Sequence, residues 1–118
     1  MSMIASLLVA LIAVLHVYFL ILEMFLWDKP AGMKAFRQTK ESAAATKVLA
    51  ANQGLYNGFL AAGLFWALSM GTQGRDVQVF FLLCVLIAGI FGAVTASRKI
   101  LFIQALPAAL ALVFTFLS

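Results

Sequence analysis

The sequence predicts an all-α fold, an antiparallel bundle of four transmembrane helices. Three observations predict it. The chain of 118 residues is 65% hydrophobic and only 10% charged, far less charge than a water-facing surface of this size needs. Its mean hydropathy is +1.10. The apolar residues fall into four long runs separated by polar breaks, with no length left for a second domain, so residues 1–118 read as one integral membrane domain.

The first span is expected over residues 3–27. It has no basic residue ahead of it and no small-residue cleavage site at its end, which reads as a retained span and not a signal peptide. Trp27 suits a membrane interface, and Asp28-Lys29-Pro30 ends the run. His16 and Glu23 interrupt it. Residues 28–47 form the one long connection, a basic loop carrying Lys29, Lys34, Arg37, Lys40 and Lys47 against Asp28 and Glu41. Met33 and Phe36 are spaced to dip one face of a short surface helix into the interface. An upstream extension of the next span through Ala43-Ala44-Ala45 is equally compatible.

The second span is expected over residues 48–70, the third over 77–97 and the fourth over 100–117. Gly71-Thr72-Gln73-Gly74-Arg75-Asp76 makes a tight polar turn between the second and third. Pro107 is expected to kink the fourth, with Gln104 near enough to answer freed backbone groups. Five Lys/Arg fall in the first loop and two in the third, against Arg75 alone in the second. The positive-inside rule puts the first and third loops in the cytoplasm and both termini outside. The net charge of +4 is therefore a topology signal, and no nucleic-acid partner is expected. Membrane lipids are the expected surroundings, in a bacterial inner (cytoplasmic) membrane.

The functional signal lies in Asn52-Gln53-Gly54-Leu55-Tyr56-Asn57-Gly58, a polar stretch inside the second span. Amides and a phenol are costly in hydrocarbon unless they have partners or line a wet cavity. Counting from the cytoplasmic ends puts Glu23, Asn52, Gln53 and Gln104 in one layer. His16 lies seven residues deeper than Glu23, close to two turns and so on nearly the same helical face. A polar strip between spans one and two follows, with ligand-binding candidates His16, Glu23, Asn52, Gln53, Tyr56, Asn57 and Gln104. The pairs Asn52/Tyr56 and Gln53/Asn57 face about 100° apart, so one cavity need not collect them all. Arg98 is placed to neutralise Glu23 from the surface. Gly54, Gly58 and Ala62 recur every four residues as a seam for close helix contact, and Gly89/Ala93 and Gly92/Ala96 repeat the pattern on the third span.

No Ser/His/Asp set, phosphate loop or paired metal ligands occur. The lone Cys84 reads as packing, and no cofactor or metal is expected. The favoured function is a binding or transport protein for a small amphipathic or cationic molecule. The alternatives are a membrane enzyme using His16 or Glu23 for proton transfer on a lipid-like substrate, and a structural or assembly protein without a ligand. A four-span bundle is small for a pore by itself, which favours a homo-oligomer.

His16-Val17-Tyr18 with Glu23-Met24-Phe25-Leu26-Trp27, followed by Asn52-Gln53-Gly54-Leu55-Tyr56-Asn57-Gly58-Phe59-Leu60-Ala61, resembles the small membrane-protein family catalogued as domain of unknown function 1304 (DUF1304). The resemblance extends over essentially the whole chain. It implies a four-span membrane protein and supplies no activity.

Overall fold

A computed structural model describes residues 2–118, and these are all-α. The helices are α1 (Met3–Met24), α2 (Pro30–Phe36), α3 (Lys40–Ser69), α4 (Arg75–Thr95) and α5 (Leu106–Phe116). A 3-10 turn, Gly71–Gly74, leads into α4, and a π-helical segment, Leu101–Ala105, leads into α5. Two stretches, Met3–Met24 and Gly71–Thr95, are long and apolar enough to cross a membrane. The apolar stretch Leu101–Phe116 is shorter. At 30 residues, α3 has length to spare, but its amides and N-terminal charges dilute its hydropathy.

The loop expected over residues 28–47 is largely helical. Its first half forms α2, and its second half joins the expected second span as the opening turns of α3. The start of α3 is capped reciprocally: Thr39 N–H donates to Ser42 Oγ (3.0 Å) and Ser42 N–H to Thr39 Oγ1 (3.1 Å). Together these satisfy two of the amides that every helix start leaves without partners. Ala43-Ala44-Ala45 then carries the helix onward at little entropic cost.

The described residues divide into two compact units, one of residues 2–14 with Leu60–Ser118, the other Leu15–Phe59. Helices α1 and α3 each run through both. In the first unit, Val9, Ile12 and Ala13 of α1, Leu64 of α3, Leu82 and Val85 of α4, and Ala108, Ala111 and Leu112 of α5 close one apolar core. Small residues bring backbones together there. A Cβ at Gly89 would lie 2.6 Å from Ala105 N and 2.9 Å from its Cα, so only glycine lets α4 approach the π segment this closely. Gly71, at φ +62°, turns the chain out of α3 in the left-handed region that glycine adopts without a Cβ penalty. Ser2 N–H donates to Ser118 Oγ (3.2 Å) within this unit.

The π segment ends two residues before Pro107, which occupies the first turn of α5. Proline offers no N–H and its ring crowds the carbonyl four residues back. The expected disturbance at Pro107 is thus a widened turn over Leu101–Ala105, with Gln104 inside it.

Polar side chains are buried in this unit too. Gln78 is 0% exposed on the α4 stripe that includes Leu82, Val85 and Gly89, and its Nε2 donates to the equally buried Thr115 Oγ1 at 2.8 Å. Thr115 Oγ1–H in turn donates to Ala111 O (2.7 Å). Gln78 Oε1 has no partner among the described residues. Thr115→Val is therefore expected to cost about 1–3 kcal/mol, because it strands the Gln78 amide nitrogen as well. Gln78→Leu/Thr115→Val, which removes both groups, should unfold within about 1 kcal/mol of wild type. Unfolding midpoints in detergent measure both.

In the second unit, Trp27, Ala43 and Ala50 are buried together with Met33 and Phe36 packed on them. The Trp27 and Phe36 rings lie 5.0 Å apart, and Trp27 Nε1–H donates to Thr46 Oγ1 (3.1 Å). Gly32 brings α2 onto the chain that leaves α1: a Cβ there would overlap the Leu26 carbonyl oxygen and lie 2.9 Å from Trp27 Cα. Asp28 pairs with Lys47 at 3.0 Å, and this hydrogen-bonded cation holds the Asp28 carboxyl below its ordinary value.

Candidate functional site

The buried face of α1 carries Ala5, Val9, Ile12, Ala13, His16 and Glu23. Steps of three, four and seven residues keep these on one side of the helix. His16 and Glu23 therefore share a face, as their spacing predicts. His16 is 0% exposed, with its ring edge-on to Phe19 at 5.7 Å between centroids. Glu23 is 8% exposed and sits one residue before the end of α1.

Opposite Glu23 within the same unit lies α3. A Cβ at Gly54 would lie 2.6 Å from Met24 Cγ, 3.1 Å from Glu23 Cβ and 3.2 Å from Leu20 O. A Cβ at Gly58 would lie 2.7 Å from Leu20 Cδ1. The expected seam is thus real at Gly54 and Gly58, while Ala62 is exposed. It brings the backbones close enough for a short side chain to cross between helices. Asn57, 6% exposed, does so: its Nδ2 donates to Glu23 Oε1 at 2.5 Å.

The carboxyl is thus answered by an amide. Glu23 makes no ion pair among the described residues, where the single pair is Asp28 with Lys47. Arg98, the cation expected to neutralise it, belongs to the other unit. A carboxylate held by one amide donor, with apolar Leu20 and Met24 beside it, remains short of positive charge. Chemically, it can accept a proton, a cation or the N–H of a bound amine.

Within this unit, the other three candidates on α3 lie outside the pair. Asn52, Gln53 and Tyr56 are exposed, and Tyr56 stacks edge-on against Phe59 at 5.8 Å. Gln104 is half-buried in the other unit. Of the amide stretch, then, only Asn57 faces inward with Gly54 and Gly58. Gln53, one turn before Asn57, flanks it on the helix surface. The Gln78–Thr115 pair was not anticipated. The available signal was periodic: Gln78 stands four and seven residues before Leu82 and Val85, on the stripe that had to be the core of α4.

No group of three or more His, Cys, Asp or Glu among the described residues is placed to hold a metal ion.

Comparison with known proteins places the chain. It is 28% identical over 118 residues to the uncharacterized protein YpaA of Lactococcus lactis subsp. lactis (strain IL1403), an alignment covering 98% of this chain and 99% of the relative. No solved structure matches it. The family model described as "Protein of unknown function (DUF1304)" matches residues 10–116, a span that includes His16, Glu23 and Asn57. The chain belongs to the DUF1304 family.

Proposed function

We propose that this chain is a multi-pass protein of a bacterial inner (cytoplasmic) membrane that binds and carries a small cationic amphiphile at Glu23 and Asn57. The observation that carries the proposal is the buried carboxyl of Glu23, met by an amide and by no cation among the described residues of its unit. An organic amine supplies the missing charge, while its apolar part suits the aliphatic side chains beside the pair.

The partition of residues supports the membrane placement. Large apolar side chains such as Leu7, Leu11, Phe80, Ile87 and Phe91 are exposed, while His16, Glu23, Asn57, Gln78 and Thr115 are buried. Only 28% and 22% of the two span-length apolar windows are buried, whereas the core helix of a soluble protein would be mostly covered. With the basic segment in the cytoplasm, Glu23 lies in the cytoplasmic leaflet and His16 about 10 Å deeper along α1. Gln53 forms the polar approach to Asn57, and His16 is a proton-exchanging group deeper on the same face. Carriage through so small a bundle calls for more than one copy of the chain.

The test is equilibrium binding of the fluorescent amine dansylcadaverine to the protein in lipid nanodiscs, with empty nanodiscs subtracted. Wild type should bind saturably, and Glu23→Gln should weaken binding about tenfold or more, the worth of one charge-assisted hydrogen bond. Equal binding by wild type, Glu23→Gln and Asn57→Leu would defeat the reading.

A further inference from the structure

We infer that Lys29, Lys34, Arg37 and Lys40 form a docking surface for anionic lipid head groups, held at the membrane face by α2. The inference rests on the membrane placement above and is independent of any ligand at Glu23.

The first support is rigidity. A basic loop left free would spread its charge through solvent. Here the segment is folded and pinned: Gly32 lies against Leu26 and Trp27, the Phe36 ring lies on Trp27, and Trp27 is bonded to Thr46. Only two residues, Phe25 and Leu26, separate the end of α1 from Trp27, so the basic cluster starts where the apolar span stops.

The second support is charge left over. Lys47 is used by Asp28. Lys29, Lys34, Arg37 and Lys40 are all exposed and make no ion pair among the described residues. They stand at the start of α2, on its last turn, at its C-cap and at the start of α3. The nearby carboxylates in sequence are Glu41 and Asp28, the latter bonded to Lys47 and also beside Lys29.

The third support is backbone conformation. Arg37 ends α2 at φ 53°, ψ 44°, the left-handed cap position, with Gln38 N–H bonded to Met33 O (2.8 Å). Glycine or asparagine fills such a position at lower conformational cost. An arginine there keeps a cation at a site where the fold favours glycine. Phosphodiester head groups complement such a cluster, and each cation near an anionic bilayer surface adds attraction that salt screens.

The experiment uses Trp27 as reporter in a Trp66→Phe background, since the chain has two tryptophans. The protein is reconstituted in phosphatidylcholine vesicles containing brominated phosphatidylglycerol or, separately, brominated phosphatidylcholine, and indole quenching is compared. At low salt the brominated anionic lipid should associate about fivefold or more tightly than the neutral one, with the preference shrinking as KCl is added. Lys34→Gln/Arg37→Gly/Lys40→Gln should abolish the preference. Its glycine suits the left-handed cap, so the turn is kept while the charge is lost. Lys34→Arg/Arg37→Lys/Lys40→Arg should retain the preference. Equal quenching by both lipids in vesicle-retained protein, or a preference that survives the charge-removing variant, overturns the inference alone. Inorganic phosphate that erases the preference more than KCl of equal ionic strength assigns the surface to free phosphate and also overturns it. Protein stripped from the vesicles by alkaline carbonate overturns the membrane placement and this inference together.

Discussion

Gly32→Ala should undock α2 and cost about 3 kcal/mol, the upper part of the range for forced overpacking. The physical reason is the identity of the neighbours. The new methyl would overlap the Leu26 carbonyl oxygen and sit 2.6 Å from its carbon and 2.9 Å from Trp27 Cα. These are backbone atoms, which cannot rotate aside as a side-chain tip does. Relief requires moving α2 away from the Leu26–Trp27 turn, and the Trp27–Phe36 contact moves with it. In the Trp66→Phe background the Trp27 emission should shift to the red, and the 28–40 segment should become sensitive to protease, with the helical signal of the other helices retained. Unchanged emission and an unchanged unfolding midpoint would show that α2 is not held as described. Gly54→Ala should cost less. Its closest new contact is Met24 Cγ, a flexible side chain, although Leu20 O at 3.2 Å limits the adjustment.

The second large effect concerns the buried pair. Asn57→Leu should destabilise the protein by about 3 kcal/mol, because it leaves the Glu23 carboxyl buried without its donor. Glu23→Leu/Asn57→Leu should recover most of that loss, since no polar group is then stranded. Glu23→Gln should fall between, because a neutral amide still pairs with Asn57. The coupling between the positions, about 1–3 kcal/mol for residues in direct contact, is readable from unfolding of wild type, Glu23→Leu, Asn57→Leu and the double variant in mixed detergent. Simple additivity would mean that the two side chains do not act together. The same variants divide stability from binding: the double variant is expected to be stably folded and unable to bind an amine.

Much of this arrangement was legible in the sequence, for reasons visible in single residues. The seven-residue step from His16 to Glu23 fixed their common face whatever the surroundings. Gly54 and Gly58 marked where helices approach, because small residues at four-residue spacing have few other uses in an apolar helix. Pro107 announced a disturbed turn by its missing N–H. What remained hidden was rotational phase. In α3 both Asn52/Tyr56 and Gln53/Asn57 are polar, so periodicity does not choose which pair faces inward. The close packing at Gly54 chooses, placing Asn57 inward and Asn52 and Tyr56 outward. The opening turns of α3 were obscured by charge: Lys40, Glu41 and Lys47 read as loop, although Thr39 and Ser42 form a helix start and three alanines follow. Gln78 is disguised by its place two residues past the polar turn, where a glutamine looks like surface.

These features bear on one claim, that Glu23 is a carboxyl awaiting a cation and not a sealed structural contact. The most direct measurement is site-resolved labelling of the protein in proteoliposomes by dicyclohexylcarbodiimide, an apolar carboxyl reagent, read by peptide mass spectrometry with and without octylamine. The account predicts that Glu23 is labelled and that rising octylamine slows its labelling while leaving the labelling of Asp28, which is paired with Lys47, unchanged. A Glu23 that takes no label, or one that is labelled at a rate indifferent to the amine, would contradict it.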